Sequence, residues 1–145
     1  MGALQIADHV EKISRIGYTI LENVIAQDTV AAMAEGFAPL YQANLQTIRN
    51  DPNRGPMRHY IVVPFAAPLY QSAFHGNPEI FAIVRAILGE DAYCNQYASD
   101  TPAKGSVHQD WHADTTVEFS EEGQLQPAKL ICANTSFVDV TPENG

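Results

Sequence analysis

Helices first and strands afterwards is the order this sequence predicts, which makes it an α+β chain or a β core with helical elaboration. Two observations carry that reading. Apolar residues recur at helical spacing through most of residues 1–90, and from Asp91 onward β-branched and aromatic residues gather in short runs between turn signals. With 145 residues the chain is expected to form one domain, 1–145, with helical elaboration over 1–90 and core strands over 91–145.

Ile6, Val10, Ile13 and Ile16 share one face of a first helix, which Gly17 ends. The run Tyr18 to Ile25 (YTILENVI) has the composition of a strand. Asp28 then suits the N-cap of a longer helix with Val30, Met33, Phe37, Leu40 and Tyr41 on one face. Residues 49–57 (RNDPNRGPM) are rich in breakers and read as a loop, and Arg58 to Val63 reads as a strand. Asn77, Pro78 and Gly89 frame a further helix as N-cap, first residue and stop. Its apolar positions Ile80, Phe81, Val84, Ile87 and Leu88 suit packing against a sheet. Three strands follow, over 91–99, 107–117 and 129–140, separated by a Pro/Gly turn at 102–105 and a polar loop at 118–127. There is no internal repeat and no low-complexity segment.

The composition narrows the function classes. Seventeen acidic residues against eight basic ones give a formal charge of -9. Such a chain is repelled by phosphate backbones and anionic lipid, which argues against nucleic-acid and membrane-surface binding. No stretch approaches the roughly 20 apolar residues that span a bilayer. The N-terminus lacks a signal peptide's basic region and apolar run. The two cysteines, Cys94 and Cys132, form no CxxC pair, sit in apolar strand-like runs and read as buried small hydrophobes, which fits a reducing cytoplasm.

Chemistry concentrates in residues 105–114, GSVHQDWHAD. On a strand, His108, Asp110, His112 and Asp114 share one face, with neighbours about 6.5–7 Å apart at Cα. A His-x-Asp pair supplies two members of a 2-His-1-carboxylate triad, the set that leaves open positions on Fe(II). On a helix, His108 and His112 would share a face as in a zinc site, but Gln109 stands where a metalloprotease needs glutamate. Solvated side chains on an exposed strand also explain the pattern. Trp111, on the opposite strand face, is expected to pack in the core. Arg58 and His59 are read as a solvated strand end or the rim of a substrate entrance.

Four stretches resemble the phytanoyl-CoA dioxygenase family of non-haem Fe(II)/2-oxoglutarate oxygenases. GYTILENVIAQDTVAAM is similar to the family's opening, FAIVRAILGEDA to its helix ending in Leu-Gly, SDTPAKGSVHQDWHAD to its metal strand, and ANTSFVDVTPENG to a later strand ending in an Asn-Gly turn. The resemblance implies a double-stranded β-helix, that is, a jelly-roll, cupin-like fold, of which the chain holds the N-terminal portion and is incomplete at the C-terminus. It implies Fe(II) as metal, 2-oxoglutarate as co-substrate and hydroxylation of a small organic molecule.

Within the motif, Gly105, Ser106 and Gln109 lead to His112 and Asp114 in the manner of one sub-type, and the interval to the Asn144-Gly145 turn agrees. His112 and Asp114 are therefore the favoured metal ligands, with His108 and Asp110 as the alternative pair. Asn134, Gln109 and Asn95 are the candidate co-substrate contacts. The family's second histidine and its co-substrate arginine lie beyond the Asn-Gly turn, so this chain is expected to be inactive alone. An incomplete jelly roll would leave core edges exposed, and self-association is the expected result. Two other readings stay open: a non-catalytic jelly-roll binding or structural domain, and a zinc-dependent hydrolase using His108 and His112.

Overall fold

A computed structural model describes residues 2–46, 50–51, 54–115 and 118–144. Parts of the expected loop 49–57, the end of the expected strand 107–117 and Gly145 of the terminal turn lie outside those residues. The chain divides into two compact units, each assembled from three segments. One comprises Met1–Val24, Gly76–Tyr93 and His112–Thr135; the other comprises Ile25–His75, Cys94–Trp111 and Ser136–Gly145.

In the first unit, α1 (Ala3–Ile16) packs against α4 (Pro78–Leu88). The Gly2 N–H donates to Gln5 Oε1 at 2.9 Å, which occupies one of the helix's otherwise unpaired amides. Gly17 closes α1 at φ 85°, a left-handed conformation that glycine adopts without a Cβ clash, and its N–H returns to the Ile13 carbonyl. Asn77 caps α4 as expected. Its Oδ1 accepts from the Glu79 and Ile80 amides at 3.0 and 3.3 Å, and its Nδ2 donates to the Val24 carbonyl at 3.0 Å. The residue is buried, yet its amide has partners at both ends. Ile83 is the buried apolar residue of α4, and the five positions expected to face a sheet are half-buried. The packing partner of α4 in this unit is a helix, α1, where the sequence suggested a sheet.

The second unit holds the main core. In α2 (Gln27–Leu45) Met33 and Phe37 are buried, and Leu40 and Tyr41 pack beside them at helical spacing. The helix begins one residue before Asp28, with Ala26 at the cap. Asp28 sits in the first turn, where its carboxylate accepts from the Thr29 amide at 2.7 Å and opposes the positive end of the helix dipole. β1 (Asn50–Asp51) and β2 (Gly55–Pro56) form a minimal antiparallel pair. β3 (Arg58–Val62) pairs antiparallel with β4 (Ala98–Pro102), in a register running from Arg58 opposite Pro102 to Val62 opposite Ala98. Strand alternation buries His59 and Ile61 on the side of β3 that meets α2. Val63, Leu69, Phe74, Tyr97 and Phe137 complete the cluster, with Phe137 edge-on to both Phe37 and Phe74. A short helix α3 (Ser72–His75) lies between β3 and α4 in sequence.

Gly36 marks a close approach in this unit. A Cβ there would lie 2.7 Å from Pro68 Cγ and 3.3 Å from Leu69 Cδ2, so the α2 backbone can sit against the 66–69 loop because glycine has no side chain.

Several expected strands are not formed among the described residues. The run 18–25 is broken at Asn23, whose φ of 58° is left-handed and incompatible with a continuous strand. Of 91–99, the strand begins at Ala98, where the ladder with β3 begins. Segments 107–115 and 129–140 have strand-like composition but no ladder partner, and a strand is defined by its partner. Within 118–127 a small hairpin forms instead, with a bridge between Phe119 and Leu125 and a turn at Ser120–Gly123. N-terminal helices and a small antiparallel sheet are thus present, while the described residues do not form a jelly roll. No helix among them is long and apolar enough to cross a membrane.

Trp111 is fully exposed at 105%, the reverse of the core position expected for it. Alternation sorts residues onto two faces but does not say which face another element covers. Cys94 and Cys132 are free and exposed where burial was expected, because the described residues around them form no paired strand. His59 is correspondingly not at a rim. It is wholly buried, with Nδ1 2.8 Å from Asn44 Oδ1 and its ring edge-on to Tyr41. Arg58 is half-buried beside it in sequence, paired with Asp100 at 3.8 Å and donating to the Val107 carbonyl at 3.4 Å.

Candidate functional site

The segment carrying the candidate ligands has no regular secondary structure from Ser106 to Ala113. It follows Gly105, whose φ of 98° turns the chain out of β4 in a conformation that suits glycine. His108, Asp110, His112 and Asp114 are all exposed. A helical His108/His112 face is not formed.

His112 and Asp114 converge. His112 Nε2 lies 3.5 Å from Asp114 Oδ1, which is what two side chains separated by one residue do when they leave the backbone on the same side. Both side chains are more than half exposed, at 55% and 58%, so an ion reaches them without any opening of the fold. Two metal bonds of about 2.1 Å meeting at 90–110° place their donor atoms about 3.0–3.4 Å apart. The observed pair needs only a small closure to fit that geometry, and an imidazole with a carboxylate suits Fe(II) or Zn(II) chemically. A complete set is not assembled. Among the described residues no group of three or more His, Cys, Asp or Glu side chains is placed to hold a metal.

The second carboxylate oxygen of Asp114 has its own partner, which the sequence did not announce. Cys132 Sγ lies 3.1 Å from Asp114 Oδ2 and donates its S–H there. Partial shielding of the sulfur from water, then the acceptor and charge of Asp114, push this thiol up to about 11. At neutral pH it is the protonated donor. The contact spans 18 residues of sequence, and no local pattern signals it. Nearby, Lys129 pairs with Glu118 at 2.5 Å across the base of the small hairpin.

Asn134 and Asn95, two of the candidate co-substrate contacts, are exposed, and Gln109 is half-buried.

A histidine and a carboxylate are two of the three ligands in the 2-His-1-carboxylate set of non-haem Fe(II) oxygenases. The chain belongs to the phytanoyl-CoA dioxygenase (PhyH) family, whose model matches residues 13–145. Enzymes of that family are in general dependent on Fe(II) and 2-oxoglutarate. The chain is also similar to the ectoine dioxygenase of Stutzerimonas stutzeri (strain A1501), 28% identical over 151 residues. That match covers 96% of this chain and 47% of the relative, so the chain spans about half the length of the curated relative it matches. No solved structure matches the chain.

Proposed function

We propose that the chain carries the first half of the metal centre of an Fe(II)- and 2-oxoglutarate-dependent dioxygenase that hydroxylates a small organic substrate. The observation that supports this most directly is the 3.5 Å approach of His112 Nε2 to Asp114 Oδ1, inside a segment covered by the family match. An imidazole nitrogen from His112 and a carboxylate oxygen from Asp114 would together bind a divalent cation more firmly than either does alone. Bound Fe(II) supplies the redox chemistry that couples 2-oxoglutarate oxidation to hydroxylation. His112 and Asp114 are the side chains of this chain that would hold the ion. Among the co-substrate candidates Asn134 is the first to substitute, since an amide N–H can donate to a carboxylate. The jelly roll remains the fold proposed for the complete domain.

The test is metal binding followed by turnover. Anaerobic titration with Fe(II) should give one site that Asp114→Ala abolishes and Asp110→Ala leaves intact. The 145-residue chain by itself should release no succinate from 2-oxoglutarate; turnover is assayed on a full-length family protein carrying this segment, with ectoine the first substrate to try because of the relative's name. A folded protein that neither binds Fe(II) nor converts 2-oxoglutarate to succinate would point to a non-catalytic domain. Stoichiometric zinc, lost on His108→Ala, would point to a hydrolase.

Self-association belongs to the same proposal. Among the described residues β3 and β4 have only each other as ladder partners, which leaves an unpaired edge on each side. Sedimentation at micromolar concentration should show oligomers, and a monodisperse monomer would count against it.

A further inference from the structure

Strand alternation gives β3 a second face, opposite the one that buries His59 and Ile61. Arg58 and Tyr60 stand on it, with Asp100 of β4 directly across from Tyr60. The Arg54 guanidinium lies 4.1 Å from the centre of the Tyr60 ring, and the Gln96 amide donates to the Tyr60 hydroxyl. Two arginines thus meet on one patch of a chain whose formal charge is -9. Arg58 is short of acceptors. A guanidinium carries five N–H donors in a planar fork. Here Nη2 makes one long bond, 3.4 Å to the Val107 carbonyl, and Nη1 stands 3.8 Å from Asp100 Oδ1, beyond hydrogen-bond range. Nε is buried and has no acceptor among the described residues. The side chain is only 17% exposed, so water makes up little of the deficit.

We propose that this face of β3 binds a small organic monocarboxylate, with its two oxygens on the Nη edge of Arg58. A carboxylate brings a charge and two acceptors at the spacing of the fork, which is what Arg58 lacks. Asp100 marks the direction of approach: an exposed carboxylate already faces Nη1, and a ligand would compete with it. Arg54 adds a second positive charge to the same patch. One carboxylate suits the site better than two. Asp100 repels a second negative charge beside the fork, and the charge of the chain opposes it again. All of these residues belong to the second compact unit, and the site uses neither metal nor thiol, so it is independent of the function proposed above.

Propionate is the probe, titrated at constant ionic strength into the isotope-labelled 145-residue chain and followed by NMR, with neutral propionamide as the control. Propionate should shift the Arg58 Nε–H signal, identified by its absence in Arg58→Lys, along a saturating curve, and propionamide should leave it in place. The Tyr60 backbone amide reports binding in the variants. Arg58→Lys keeps the charge but loses the fork, and it should weaken binding about 10-fold. Arg54→Gln should weaken it about threefold, and Asp100→Asn should tighten it about threefold by removing the competing carboxylate. The gain in Asp100→Asn is a result that a purely structural Arg58 would not give. Melting temperature is recorded for each variant. Should Arg58→Lys melt early, Asp100→Asn decides alone, since Asp100 is exposed. The proposal is overturned by the lack of a saturable shift with propionate, by an equal shift with propionamide, or by unchanged affinity in Asp100→Asn or in a folded Arg58→Lys. Binding of 2-oxoglutarate more than about 10-fold tighter than propionate would also overturn it, because the face would then select a dianion.

Discussion

The Met33–Phe37 core and the His112–Asp114 segment are built on opposite principles. In the core, α2, β3 and the Tyr97 and Phe137 side chains come together from distant parts of the sequence, and Met33, Val63 and Leu69 are almost wholly buried. In the candidate segment, two side chains separated by one residue meet through local geometry, and both face water. Stability is thus concentrated where there is no evident chemistry, and the candidate chemistry lies where little is buried. Substitutions should divide along the same line. Core changes should move melting, and changes in the segment should move metal binding.

The largest expected effect tests the first half of that contrast. Phe37→Ala removes a buried ring that contacts Tyr41 and Phe137, and it should cost about 3–5 kcal/mol in chemical denaturation, enough to unfold a marginal domain. Asp114→Ala tests the other half. It should weaken divalent-metal binding at least about 100-fold, near 2.7 kcal/mol, while the denaturation midpoint stays within error of the unsubstituted chain. A large shift in that midpoint would collapse the distinction.

Asn77→Ala comes next, at about 2 kcal/mol. It removes the α4 cap and leaves the Val24 carbonyl without its donor. Gly36→Ala should cost about 1–2 kcal/mol although alanine favours helix, because its Cβ would meet the Pro68 ring at 2.7 Å. An unchanged or raised melting temperature would mean that the 66–69 loop yields easily. Trp111→Ala is the smallest, within about 0.5 kcal/mol, since the side chain is fully exposed.

The parts of this fold that could be read from sequence are those whose causes are local. Asn77-Pro78 and Gly89 mark both ends of α4, Gly17 ends α1, and Met33, Phe37, Leu40 and Tyr41 declare the inward face of α2. The strands were less legible because composition proposes a strand but only a neighbour makes one. Arg58–Val62 has β4, whereas 129–140 has no ladder partner among the described residues. The same limit misplaced Trp111 and both cysteines, whose burial depended on those strands. At the candidate site, the i to i+2 spacing of His112 and Asp114 was visible in one line of sequence. Cys132 was invisible, because nothing in its own neighbourhood refers to a carboxylate 18 residues earlier.

The exposure of Trp111 has a use that its loss from the core would not suggest. It is the chain's single tryptophan, it stands in water, and it is the residue before His112. Its emission should be red-shifted and readily quenched by iodide. A paramagnetic ion seated at His112 would lie one peptide unit away and quench the indole directly. If an ion binds at His112 as proposed, Trp111 emission would report its occupancy, and a titration could be followed without a label.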